Sequence, residues 1–104
     1  MLFPLPRPAN GSPRIVITGA GIVTSLGTGW AENAGGFRLG RTAFGPVTLF
    51  DVSGQRVKVA AQVNLPNELP PTRLSRRSQQ RMDRAARLLL HAGHEAWTQA
   101  GWEP

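Results

Sequence analysis

Arg14-Ile15-Val16-Ile17-Thr18-Gly19-Ala20-Gly21-Ile22-Val23-Thr24-Ser25-Leu26-Gly27 is the stretch on which the fold turns. Residues 15–18 are all β-branched, do not alternate with polar residues, and end at Gly19, which predicts a strand over 14–19. A continuous apolar run suits a strand buried on both faces, as in a parallel sheet covered by helices. Such a strand needs two covering layers. The glycines at 19, 21 and 27 then predict a loop leading out of it.

Outward from that loop, residues 28–39 read as a helix, with Trp30, Ala34 and Phe37 on one face. Gly35 and Gly36 lie inside it and cost about 1 kcal/mol each relative to alanine, so packing has to hold it. Gly45-Pro46 predicts a turn, 47–50 a short extended piece, and Asp51-Val52-Ser53-Gly54 a second turn. From 56 to 63 the residues alternate, with Val57, Val59, Ala61 and Val63 on one side, the pattern of a half-buried antiparallel strand. The proline-rich stretch 65–72 is a loop. Residues 75–100 read as one long amphipathic helix with Met82, Ala85, Ala86, Leu89, Gly93, Ala96, Trp97 and Ala100 on its apolar face. Arg84, Arg87 and His91 fall opposite, and Gly101 is the expected C′ residue.

The 104 residues suffice for one small domain or part of a larger one. They contain no cysteine, which excludes disulfides, thiolate metal sites and a thiol nucleophile among them. No apolar run approaches the roughly 20 residues of a membrane span. Residues 1–13 are rich in proline, lack the apolar core of a signal peptide and read as a flexible leader. The net charge of +6 is concentrated. Arg73, Arg76, Arg77, Arg81, Arg84 and Arg87 face only Asp83 in their stretch, which favours an acidic partner or, more simply, a solvated helix face.

Other chemistries find little support. Gly19-x-Gly21 lacks the third glycine of a dinucleotide fingerprint, Thr24 standing in its place, and no acidic residue follows at the required distance. His91 and His94 are three apart, but Glu95 points elsewhere on the wheel, so the pair reads as solvent-facing rather than as metal ligands. No serine or threonine sits in a nucleophile elbow or beside an evident base. No aromatic side chain lies between Arg73 and Arg87 to stack on a base, which argues against nucleic acid.

Several segments together resemble one family. The 14–27 stretch is similar to the opening strand and loop of β-ketoacyl-acyl-carrier-protein synthases of the elongating type. Trp30 resembles the tryptophan early in their first helix, and Leu39-Gly40-Arg41-Thr42-Ala43 the basic loop that closes it. Phe50-Asp51-Val52-Ser53-Gly54 resembles their phenylalanine–aspartate turn, and Val59-Ala60-Ala61-Gln62-Val63 the strand after it. Gln80-Arg81-Met82-Asp83-Arg84 resembles their Arg-Met-Asp helix start, and 96–101 the end of that helix. Gly35-Gly36 departs from the bulky residues usual in the first helix.

The resemblance implies an α/β chain, the N-terminal part of an incomplete thiolase-like fold, with 14–104 as one partial domain behind the leader. It implies fatty-acid or polyketide elongation by decarboxylative condensation in the cytoplasm. No cofactor is expected of the protein itself. The catalytic cysteine and histidines of the family fall outside the matched region, so the chain alone is expected to be inactive as an acyltransferase. The expected partners are acyl carrier protein and the remaining synthase half or a second copy, with neither nucleic acid nor membrane. By position, Arg77 and Arg81, with Arg76 in support, match basic residues that dock the acidic carrier, while Gln80 stands where a further basic group is expected. A non-catalytic carrier-binding module and a basic nucleic-acid adaptor are the rival readings.

Overall fold

The computed structural model describes residues 11–102, so most of the 1–13 leader lies outside the described residues. In chain order the elements are β1 (Val23–Thr24), β2 (Gly27–Thr28), α1 (Trp30–Arg38), β3 (Phe44–Pro46), β4 (Val59–Ala61), α2 (Arg76–Gln80) and α3 (Arg84–Gln99). β1 pairs antiparallel with β2, and β3 with β4 in the register Phe44↔Ala61, Gly45↔Ala60, Pro46↔Val59. Helix and strand are thus mixed, but no parallel pairing occurs among the described residues.

The expected strand over 14–19 does not form. Ile15, Val16 and Ile17 are 72%, 56% and 65% exposed. A doubly covered strand needs strand neighbours and two layers, and the longest strands here have three residues and pair only with each other. More broadly, no hydrophobic side chain is buried among the described residues. The radius of gyration is 18.1 Å, against roughly 13 Å for a compact chain of this length.

What interior exists is polar. Asn33, on α1, is fully buried. Its Nδ2 donates to Gly27 O at 3.0 Å and Gly29 O at 2.8 Å, and its Oδ1 accepts from the Thr24 hydroxyl. That hydroxyl in turn accepts from Leu26 N at 3.1 Å. The β1–β2 hairpin and α1 are therefore one hydrogen-bonded unit, in which each buried polar group has a partner. Helix α1 lies where the sequence places it, yet Trp30 and Phe37 are exposed and Asn33 and Gly36 are buried. Gly36 rests under Leu26, so the glycine counted as a helix cost makes room for that side chain.

The expected strand over 56–63 shortens to β4, exposed on both sides because nothing covers it. Gly45-Pro46 lies in β3 rather than in a turn; an edge strand tolerates the proline. The ladder continues through Val47 N to Lys58 O at 2.9 Å, and the Gln62 side chain bridges Thr48 and Leu49. The turn at 51–54 is present: Asp51 Oδ1 accepts from Ser53 N at 2.9 Å. The Ser53 N–H, and then its hydroxyl, hold the Asp51 carboxyl below the ordinary aspartate value.

The expected single helix over 75–100 is two helices. Asp83 takes an extended backbone and its Oδ1 accepts from Ala86 N at 2.8 Å, the geometry of an N-cap. A helix start at 84 obliges the preceding helix to stop, and Arg81 is the C-cap of α2. Gly101 terminates α3 as expected, at φ 80°. Trp102 N donates to Trp97 O and Gly101 N to Thr98 O, a Schellman motif, and the Trp97 and Trp102 rings meet edge-on at 4.7 Å. No helix of the described residues is long and apolar enough to cross a membrane.

Candidate functional site

Helix α2 has five residues, too few to persist by backbone bonding alone. Side chains fasten it. Ser75 Oγ accepts from Ser78 N at 3.2 Å, Thr72 Oγ1 accepts from Leu74 N at 3.2 Å, and Gln79 Nε2 donates to Leu74 O at 2.8 Å. This short, tied segment presents Arg76 and Arg77, with Arg81 at its end. All three are exposed, and their guanidinium groups make no hydrogen bond or ion pair with any described residue.

Arg84 and Arg87 behave differently. They are on α3, a different helix from the one that carries Arg77. Arg84 Nη2 donates to Val63 O, tying α3 to the chain after β4. Arg87 is half-buried, and its Nη2 donates to Gln79 O at 3.5 Å, tying α3 to α2. The basic stretch thus divides into arginines that bond the chain's own carbonyls and arginines that bond no described residue.

The histidines are not solvent-facing as expected. His91 and His94 are half-buried, His91 Nε2 is buried without a hydrogen-bond partner, and His94 lines an apolar groove with Leu74, Met82, Leu89 and Trp97. Among the described residues no group of three or more histidine, aspartate or glutamate side chains is placed to hold a metal ion.

The sequence reading missed Glu95 and Gln99. Glu95 Oε1 accepts from Trp30 N at 2.7 Å and its Oε2 from Ile22 N at 3.0 Å, while Gln99 Oε1 accepts from Ala20 N at 2.7 Å. One carboxylate therefore holds the loop and the N-terminus of α1, where negative charge is favoured. The signal was present in the sequence. A Cβ on Gly19 or Gly21 would overlap the carbonyl oxygens of Ala96 and Ala92, so Gly19-x-Gly21 matches the small residues of α3 and not a phosphate.

A family model described as Beta-ketoacyl synthase, N-terminal domain, matches residues 12–104. The chain belongs to the β-ketoacyl synthase family. Among relatives of this synthase-family chain, Nodulation protein E of Rhizobium meliloti (strain 1021) is 38% identical over 88 residues, covering 85% of this chain and 21% of the relative. A 3-oxoacyl-[acyl-carrier-protein] synthase 2 of Synechocystis sp. is 32% identical over 84 residues, covering 80% and 20% respectively. The Granaticin polyketide putative beta-ketoacyl synthase 1 of Streptomyces violaceoruber is 32% identical over 88 residues, covering 85% and 20%. The chain spans about a fifth of the length of these relatives. No solved structure is a significant match.

Proposed function

We propose that the chain supplies the N-terminal, thiolase-like segment, residues 14–104, of a 3-oxoacyl-acyl-carrier-protein synthase that elongates fatty acids or polyketides by decarboxylative condensation. Within it, Arg77 and Arg81, supported by Arg76, form a docking edge for acyl carrier protein. The observation that carries the assignment is the division of the arginines: these three exposed guanidiniums pair with no described residue, while Arg84 and Arg87 are bonded to backbone carbonyls. Exposed guanidiniums pair with carboxylates in a two-point fork and steer an acidic partner from a distance.

The 104 residues hold no cysteine, so a thiol that accepts the acyl chain has to come from outside them. A covering surface has to come from elsewhere too. With no hydrophobic side chain buried among the described residues, the segment suits docking against the rest of a synthase, or a second copy, better than life as a stand-alone carrier-binding module.

In a complete synthase carrying this segment, Arg77→Glu with Arg81→Glu should slow association with acyl carrier protein roughly tenfold and leave the fold intact. The effect should shrink as salt rises. Arg84→Gln should leave association nearly unchanged. Equal slowing by both variants, or slowing by neither, refutes the docking edge. A shift of DNA or RNA in a gel at physiological salt favours the nucleic-acid reading instead.

A further inference from the structure

Between α2 and the proline-rich loop before it lies an open notch of about 570 Å3, whose lining includes Glu68, Thr72, Arg76, Gln79, Gln80 and Arg87. Two arginines from different elements line it. Arg76 comes from the start of α2, and its guanidinium pairs with no described residue. Arg87 comes from α3 and is held in place by its bond to Gln79 O at 3.5 Å, which uses one of its five N–H donors. The Gln79 amide nitrogen is committed to Leu74 O, while the Gln80 side chain makes no hydrogen bond with any described residue. Glu68 is the only acidic residue of the lining.

We propose that this notch receives one carboxylate side chain of the docking partner, held between Arg76 and Arg87. The inference rests on the carrier-protein reading above and deepens it by giving the contact a socket. Arg77 and Arg81, fully at the surface, act on encounter. Arg87, half-buried, acts on the bound complex, because charge pairs away from bulk water attract more strongly and govern dissociation. The charge balance calls for one negative charge. Two guanidiniums and one carboxylate leave the lining one positive charge in excess, which a singly charged carboxylate on an acidic partner neutralises.

Glu68 makes the proposal testable without disturbing the arginines. It makes no hydrogen bond or ion pair with a described residue and lines the socket. In a synthase carrying this segment, Glu68→Gln should tighten binding of acyl carrier protein about two- to fivefold, and Arg76→Ala should weaken it by a similar factor. Both effects should be the same for the carrier with and without its phosphopantetheine. Arg87→Lys, which keeps the charge and loses the fork, should speed dissociation more than it slows association. If Glu68→Gln changes nothing while Arg77→Glu with Arg81→Glu still slows association, the socket is wrong and the docking edge stands. If none of these variants changes binding, both are wrong. If Glu68→Gln acts only on the phosphopantetheine-bearing carrier, the notch takes the phosphate and the carboxylate assignment is overturned.

Discussion

Replacing Glu95 with alanine removes the acceptor of two backbone donors, Ile22 N and Trp30 N, 73 and 65 residues away in the chain. Neither N–H has another partner among the described residues. A hydrogen bond to a charged acceptor is worth about 1.5–3 kcal/mol net when shielded. Both bonds here are partly open to solvent, so about 1 kcal/mol each is the better figure, and the favourable placement of negative charge at the start of α1 is already contained in it. The sum, about 2 kcal/mol, corresponds to a roughly 30-fold rise in the open population of the 19–31 segment. Hydrogen exchange read by mass spectrometry measures this directly. Peptides covering 19–31 should exchange about 30-fold faster in Glu95→Ala, while the first turn of α3, capped by Asp83, should be unchanged. Glu95→Gln keeps an acceptor but loses the charge and should fall between. Unaltered exchange over 19–31, or equal acceleration throughout the protein, would refute the clamp.

Two further substitutions probe the same frame. Gly21→Ala forces a Cβ into Ala92 O, and backbone cannot yield as a side chain can, so about 1–3 kcal/mol should be lost, with faster exchange at Ile22 and little change in β3 and β4. Asp83→Ala removes the N-cap of α3 and should cost about 1 kcal/mol, seen as loss of protection at Ala86 N; an unchanged Ala86 amide would show that the cap does not hold that turn.

Features governed by near neighbours were legible in the sequence. Helix α1, the turn at 51–54 and the Gly101 terminus all follow from residues within a turn or two of each other. Features that need a distant partner were not. Ile15, Val16 and Ile17 have the composition of a buried strand, but composition supplies neither the neighbouring strands nor the covering layers, and the described residues contain neither. The break between α2 and α3 was a local signal read for the wrong property. Asp83 was counted as one negative charge among arginines, whereas its side chain acts as a hydrogen-bond acceptor that starts a helix.

The candidate site divides along the same line. The sequence locates six arginines and gives no means of ranking them by use, because a guanidinium is equally charged whether or not a carbonyl holds it. Ranking comes from acceptors far along the chain or in the adjoining helix: Val63 O takes Arg84 and Gln79 O takes Arg87. Those two bonds also move the boundary of the site. Arg84 and Arg87 share one face of the wheel and look interchangeable there, yet only Arg87 is drawn under α2, where it lines the notch with Arg76. An arginine half-buried beside another helix has less side-chain freedom to lose when a partner carboxylate meets it. Arg77 and Arg81 are exposed and bond no described residue, which suits them to long-range attraction and poorly to a fixed contact. Substituting one class should therefore change how fast the partner arrives, and substituting the other how long it stays.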